Sequence, residues 1–224
     1  MSFFTALYKY LPDFGHGLWL TILLTLIAAI LGFLASVPLV LGILYGNKLF
    51  KLLCKAFITI VRGTPLLVQL FFIYYGLPAL GWHIAPFNAA LVGFILNSAA
   101  YQAEYLKGGF LAITTEQMEA AYSIGLTKWQ AIKEIIFPQA FRFAIPALSN
   151  EVIYLVKYTS VAYVIQVPEL LSQAKFFASD TYFSLQIYLT IGVVYLALIW
   201  VVSKLADMLE HKLFIPGFDF SHLK

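Results

Sequence analysis

The sequence predicts an all-helical integral membrane protein, and three observations carry that prediction. Of 224 residues, 62% are hydrophobic and only 11% are charged, against about 25% charged in an ordinary soluble domain. Mean hydropathy is +0.87. Long charge-free runs recur, separated by short charged stretches. A run of about 20 apolar residues can cross the hydrocarbon layer as a helix, which satisfies every backbone polar group internally. Five crossings fit one domain, residues 1–224, embedded in a lipid bilayer; no repeat, low-complexity tract or linker divides it.

Residues 1–14 mix Phe3, Phe4, Leu7, Tyr8, Tyr10 and Phe14 with Lys9 and Asp13, the composition of a short interfacial segment. The next 31 residues, 17–47, hold no charge, which is too long for a signal-peptide core of roughly 7–15. They give a retained first span, 17–46, with Pro38 as a kink. A cationic stretch follows with Lys48, Lys51, Lys55 and Arg62. The second span, 64–79, closes at Gly76 and Pro78. The third, 88–111, carries Asn97, Ser98, Gln102 and Glu104. The fourth, 143–165, is the most polar, with Asn150, Glu151, Lys157, Thr159 and Ser160. The fifth, 181–205, is charge-free to residue 203.

Between the third and fourth spans, residues 112–140 could not sit in lipid, because they hold Glu119, Lys128, Lys133 and Glu134. Thr114 with Gln117 reads as a capping-box start, and Gly125 as a helix stop. Thr127 with Gln130 restarts a helix, which Pro138 is expected to end by removing a donor. Trp129, Ile132 and Ile136 give that second helix an apolar face to lay on the bundle. The alanines Ala120 and Ala121 suit the close approach of another protein. The result is a helix–turn–helix that a soluble partner can grip. A DNA-reading role is excluded by the flanking spans and by having only two lysines in 119–138, so no nucleic-acid partner is expected.

Orientation follows from the cations near span ends. Residues 46–62 hold four, 105–143 hold four and 203–224 hold three, while 1–16 and 166–182 hold one each. The positive-inside rule then places the helix–turn–helix and the C-terminus in the cytoplasm and the N-terminus outside.

Several chemistries have no motif here. There is no phosphate-binding GxxxxGK[ST], no CxxC and no HExxH. His16, His83, His211 and His222 are scattered near span ends, and Cys54 is the single cysteine. No catalytic residue, metal site or bound cofactor is expected of this chain. The intramembrane polar residues are the informative ones, because a charge at mid-bilayer costs at least ~2.5–3.5 kcal/mol and so faces protein or water. Asn97, Tyr101 and Glu104 share one helical face by their spacing of four and three, as do Asn150, Tyr154 and Lys157. Glu151 lies about 100° round from Asn150. With Ser98 and Gln102, these residues either line a substrate path or hold the bundle together by interhelical hydrogen bonds. In the first case the carboxylates would take an amine and Lys157 a carboxylate.

Glu119-Ala120-Ala121, then Gly125, Ile135, Phe137 and Pro138, resembles the EAA loop of binding-protein-dependent ABC importer permeases. Phe137 stands where leucine is usual. The run 62–69 (RGTPLLVQ), Ala100-Tyr101 with Glu104, Pro138-Gln139-Ala140, Lys157 with Thr159-Ser160, and Glu169-Leu170 resemble the polar amino-acid branch of that family. The similarity covers roughly residues 15–210. One departure is Tyr158, where an aspartate is common between the lysine and the threonine.

The resemblance implies a type I ABC importer transmembrane domain with five spans and a cytoplasmic coupling-helix loop at about 112–140. It implies two cytoplasmic ATPase subunits that bind ATP and magnesium, a second permease subunit (identical or a close paralogue) and an extracytoplasmic amino-acid-binding protein. It also implies a bacterial cytoplasmic membrane. By motif position, Glu119, Ala120, Ala121 and Gly125 couple to the ATPase through the stretch 119–138. The two membrane glutamates point to a cationic amino acid (arginine, lysine or histidine), with glutamine as competitor. The alternatives are a secondary amino-acid transporter or channel working without an ATPase, and a purely structural membrane scaffold.

Overall fold

A computed structural model describes residues 2–113 and 115–213. The described residues form helices α1 (Phe3–Tyr45), α2 (Lys48–Gly63), α3 (Leu66–Phe71), α4 (Pro86–Leu111), α5 (Thr115–Ser123), α6 (Lys128–Ala131), α7 (Phe137–Tyr158), α8 (Leu170–Thr181) and α9 (Ser184–Leu213). Among them there is no strand. Two helices, α1 and α9, are long and apolar enough to cross a membrane by themselves. A third candidate is α2 with the helical stretch Leu66–Leu80 that α3 opens, bent by 104°.

The first correction concerns the start of the chain. Residues 1–14 were expected as a segment separate from the first span, but α1 runs unbroken for 43 residues, with Pro12 and Pro38 both inside it. Its aromatics pack onto the C-terminal half of the chain: Phe3, Tyr10 and Phe14 surround Phe177 of α8. This long-range contact holds the N-terminal turns of the helix straight on. The Thr114 cap and His222 lie outside the described residues.

The second correction is Pro138. A π turn at Ile132–Ile136 widens the helix that starts at Lys128, so Pro138 falls in the first turn of α7. In that position a missing N–H costs nothing. The chain therefore stays helical from Lys128 to Tyr158 and continues as a 3-10 turn at Thr159–Ile165. The same device precedes Pro78, where a π turn at Phe72–Gly76 leads into the 3-10 turn Leu77–Leu80.

Helix α1 is the axis of the packing, since it supplies buried residues to every core cluster. Leu24 and Ala28 meet Leu70 and Phe94, and Ala6 and Phe14 meet Phe177 and Ile187. Val40 meets Leu106 and Ile136, and Ile43 meets Ile58 and Ala100. Absent side chains permit the close crossings. A Cβ on Gly32 of α1 would lie 2.9 Å from Ser98 Cβ of α4. One on Gly109 of α4 would land against the Ala140 carbonyl of α7.

The outer corner of the bundle is tied by Glu169, fully buried before α8. Its carboxylate accepts from the N–H groups of Leu171 and Ser172, both at 2.8 Å, and from the Tyr195 hydroxyl of α9 at 3.1 Å. The next residue, Leu170, donates its N–H to Thr21 Oγ1 of α1 at 3.3 Å. One carboxylate thus caps α8 and links it to α9. Burial pushes the Glu169 carboxyl up to about 7 from its ordinary 4.5, outweighing these three donors. The folded protein then holds a proton that the unfolded chain has already released between those values. Stability is expected to fall as pH rises from 4.5 to about 7 and to level off above. Thermal midpoints across pH should show this slope flattened in Glu169→Gln; an unchanged slope would assign it to another group.

Candidate functional site

Helices α4 and α7 pack side by side and bring the two polar stripes to one region. On α4, Asn97 is 5% exposed and donates Nδ2 to Gln69 Oε1 of α3 at 3.2 Å. Gln69 in turn donates to the Val61 and Thr64 carbonyls at 2.7 and 3.1 Å. Asn97 therefore braces the bend between α2 and α3. Tyr101 receives the Arg62 guanidinium over its ring at 5.1 Å. Glu104 accepts two hydrogen bonds from Lys107 Nζ, at 3.1 and 3.0 Å, and lies 3.7 Å from Arg62 Nη1. Two cations already neutralise this carboxylate.

Ser98 and Gln102 face the other way, towards α1. Gln102 Nε2 donates to the Ala29 carbonyl at 3.1 Å and to Ser98 Oγ at 2.8 Å, and both side chains are buried. These two residues join α4 to α1.

On α7, Asn150, Tyr154 and Lys157 lie on the exposed side. Lys157 Nζ sits 4.3 Å from the Tyr154 ring centroid, and the Tyr154 and Tyr158 rings stack at 6.2 Å. Glu151 turns inward. It is 3% exposed, beside Ser98, and its Oε1 has no hydrogen-bond partner among the described residues. Buried polar atoms are nearly always paired, and an uncompensated buried carboxylate is costly. Tyr105 of α4 and Tyr158 of α7 lie nearby. A groove of about 390 Å³ opens next to this region, lined by Arg62, Thr64, Asn97, Tyr101 and Tyr158 among others. Sequence pattern does not reveal Arg62 and Gln69 as partners of the stripes. Lys107, three residues after Glu104, is the one partner legible from spacing alone.

The second constellation is the turn between α5 and α6. Gly125 has φ +84°, and the Leu126 N–H reaches back to the Ala121 carbonyl at 3.1 Å, so the glycine stops α5 as expected. Thr127 and Gln130 form the reciprocal capping box, with the Thr127 N–H donating to Gln130 Oε1 at 2.9 Å. Glu119 and Ala120 are exposed, whereas Ala121 is buried. Ile132 and Ile136 lie on the bundle, but Trp129 does not: it is 60% exposed and touches Tyr45 only at the ring edge. With Tyr122 and Ile124, also exposed, it makes the outer surface of the turn apolar.

Residues 30–215 match the family described as binding-protein-dependent transport system inner membrane component. The chain belongs to this family. Among curated relatives of this permease, the probable amino-acid permease YxeN of Bacillus subtilis is 38% identical over 92% of this chain and 93% of its own. The nopaline transport system permease NocM of Agrobacterium fabrum is 36% identical over 85% and 83%. In the crystal structure of an amino acid ABC transporter with histidines, a 36% identical chain superposes with a TM-score of 0.87, covering 95% of this permease and 99% of that chain. The fold is that of a type I importer domain, and the protein is an amino-acid ABC transporter permease subunit of a bacterial membrane.

At position 125 the backbone requires the left-handed region, and no atom lies where a Cβ would point. Gly125→Val is therefore expected to cost about 1–2 kcal/mol through strain alone, and Gly125→Asn less. Thermal midpoints of the two purified variants should fall in that order.

Proposed function

We propose that this permease subunit carries a polar, cationic amino acid (arginine, lysine or histidine) into the cytoplasm after delivery by an extracytoplasmic binding protein. Glu151 is the observation that carries the reading. A buried carboxylate with an unpaired oxygen, beside Ser98, is a place for an ammonium or guanidinium to complete. Lys157, Asn150 and Tyr154, on the exposed side of the same helix, would meet the substrate on its way in, and Tyr101 lines the groove beside Asn97. The related amino acid ABC transporter solved with histidines agrees with a cationic substrate. Glutamine remains the competing substrate, and the pairing of Glu104 favours it, because that pairing leaves one free carboxylate in place of two.

Two ATPase subunits, holding ATP and magnesium, would supply the energy, and a second permease subunit, identical or a close paralogue, would complete the membrane pair. In this reading the N-terminus lies outside and the C-terminus in the cytoplasm. The ATPase would dock on the turn of 119–138 through Glu119, Ala120 and the apolar outer surface of Tyr122, Ile124 and Trp129. Closure of the ATPase pair would turn the helices that follow as a rigid body.

In proteoliposomes with ATPase and binding protein, Glu151→Gln is expected to lower uptake of cationic amino acids at least ~10-fold while sparing glutamine. Unchanged uptake and selectivity in both Glu151→Gln and Glu104→Gln would sink the cationic reading. Docking is tested separately. Ala120→Trp, at an exposed position, should leave the permease folded but reduce the ATPase that co-purifies with it; full co-purification and normal ATP-driven uptake would remove the turn from the docking surface.

A further inference from the structure

Helix α2 carries a division of its surface that the transport reading does not use. Projected at about 100° per residue, Cys54, Ile58 and Val61 form one edge. That edge is packed on Ile43 of α1 and on Ala100 and Ala103 of α4. Lys48, Lys51 and Lys55 fall within a second arc of roughly 60°. Leu49, Leu53 and Ile60 form a third edge and are 67%, 57% and 64% exposed. The helix has no acidic residue. Among the described residues none of the three lysines has an ion-pair partner, whereas Arg62, at the other end, faces Glu104.

Its placement narrows what can cover it. Sixteen residues span about 24 Å, short of the ~30 Å hydrocarbon layer, and the 104° bend turns α2 away from the direction of α3. Its first turn packs at Gly42 through Phe50. Tyr45, three residues further, meets Trp129 and Lys128. Helix α2 thus lies at the same end of the bundle as the α5–α6 turn.

We infer that α2 lies flat in the lipid–water boundary on that face and that Lys48, Lys51 and Lys55 bind the phosphates of anionic phospholipids. A bare leucine and isoleucine edge beside a lysine edge matches acyl chains next to headgroups. In the transport reading the ATPase already has its place on the α5–α6 turn, and a second copy would offer its own lysines to these.

The test uses the detergent-purified permease and quantifies its retained phospholipid, together with the thermal midpoint after adding phosphatidylglycerol, phosphatidylcholine or soluble glycerol phosphate. The wild type should retain phosphatidylglycerol preferentially and be raised by it alone, with the effect lost in high salt. Enrichment should drop about fivefold for each lysine changed to glutamine, while the midpoint without added lipid stays put in K48Q/K51Q/K55Q. Equal effects of the two lipids, or an undiminished preference in the triple variant, would overturn the inference. So would a response to glycerol phosphate matching that to lipid, or loss of ATPase or permease co-purification in the triple variant with no change in lipid.

Discussion

Close crossing of helices without side chains between them is the constraint on which this structure rests. In lipid, two apolar helices gain no hydrophobic energy by exchanging acyl chains for each other, so association depends on contact and buried hydrogen bonds. Gly32 lets α4 approach α1 closely enough for Gln102 to reach the Ala29 carbonyl. Gly109 brings α7 against α4, and Gly17 brings the Glu169 backbone against α1. Remove the contacts at Gly32 or Gly109 and the polar residues of α4 and α7 lose the packing that places Glu151 beside Ser98. The site is a by-product of the packing.

Much of the fold was legible because it is local. Gly125, Thr127 and Gln130 specify their turn through backbone conformation and capping, and both need only a few neighbouring residues. The long helices α1 and α9 follow from their charge-free apolar length. What was illegible depends on distant partners. The unbroken α1 needs Phe177 to hold its first turns. Pro138 reads as a stop until the π turn before it is known, and nothing in the pattern of Ile132, Ile135 and Ile136 announces that widening.

The candidate site divides in the same way. Helical spacing put Asn97, Tyr101 and Glu104 on one face, and the structure keeps them there. Spacing could not say what they face. Glu104 is held by Lys107, one turn on, and by Arg62, forty-odd residues earlier across the α2–α3 bend. Ser98 and Gln102 also hold the α1–α4 joint, which composition does not reveal. Glu169 reads in the sequence only as part of a motif, and its burial against Tyr195 depends on α9 folding back.

The continuous helix from Lys128 to Tyr158 has a mechanical meaning. It joins the exposed turn to Glu151 over 23 residues with no loop between them, a rod about 35 Å long. Tilting such a rod by ~5° about one end sweeps the other through roughly 3 Å, enough to break or make a hydrogen bond. The helical spacing can give at two places along it, the π turn near its outer end and Pro146 within α7. Motion delivered at the exposed turn therefore meets both points of give before it reaches the carboxylate, and the rod can bend as well as tilt.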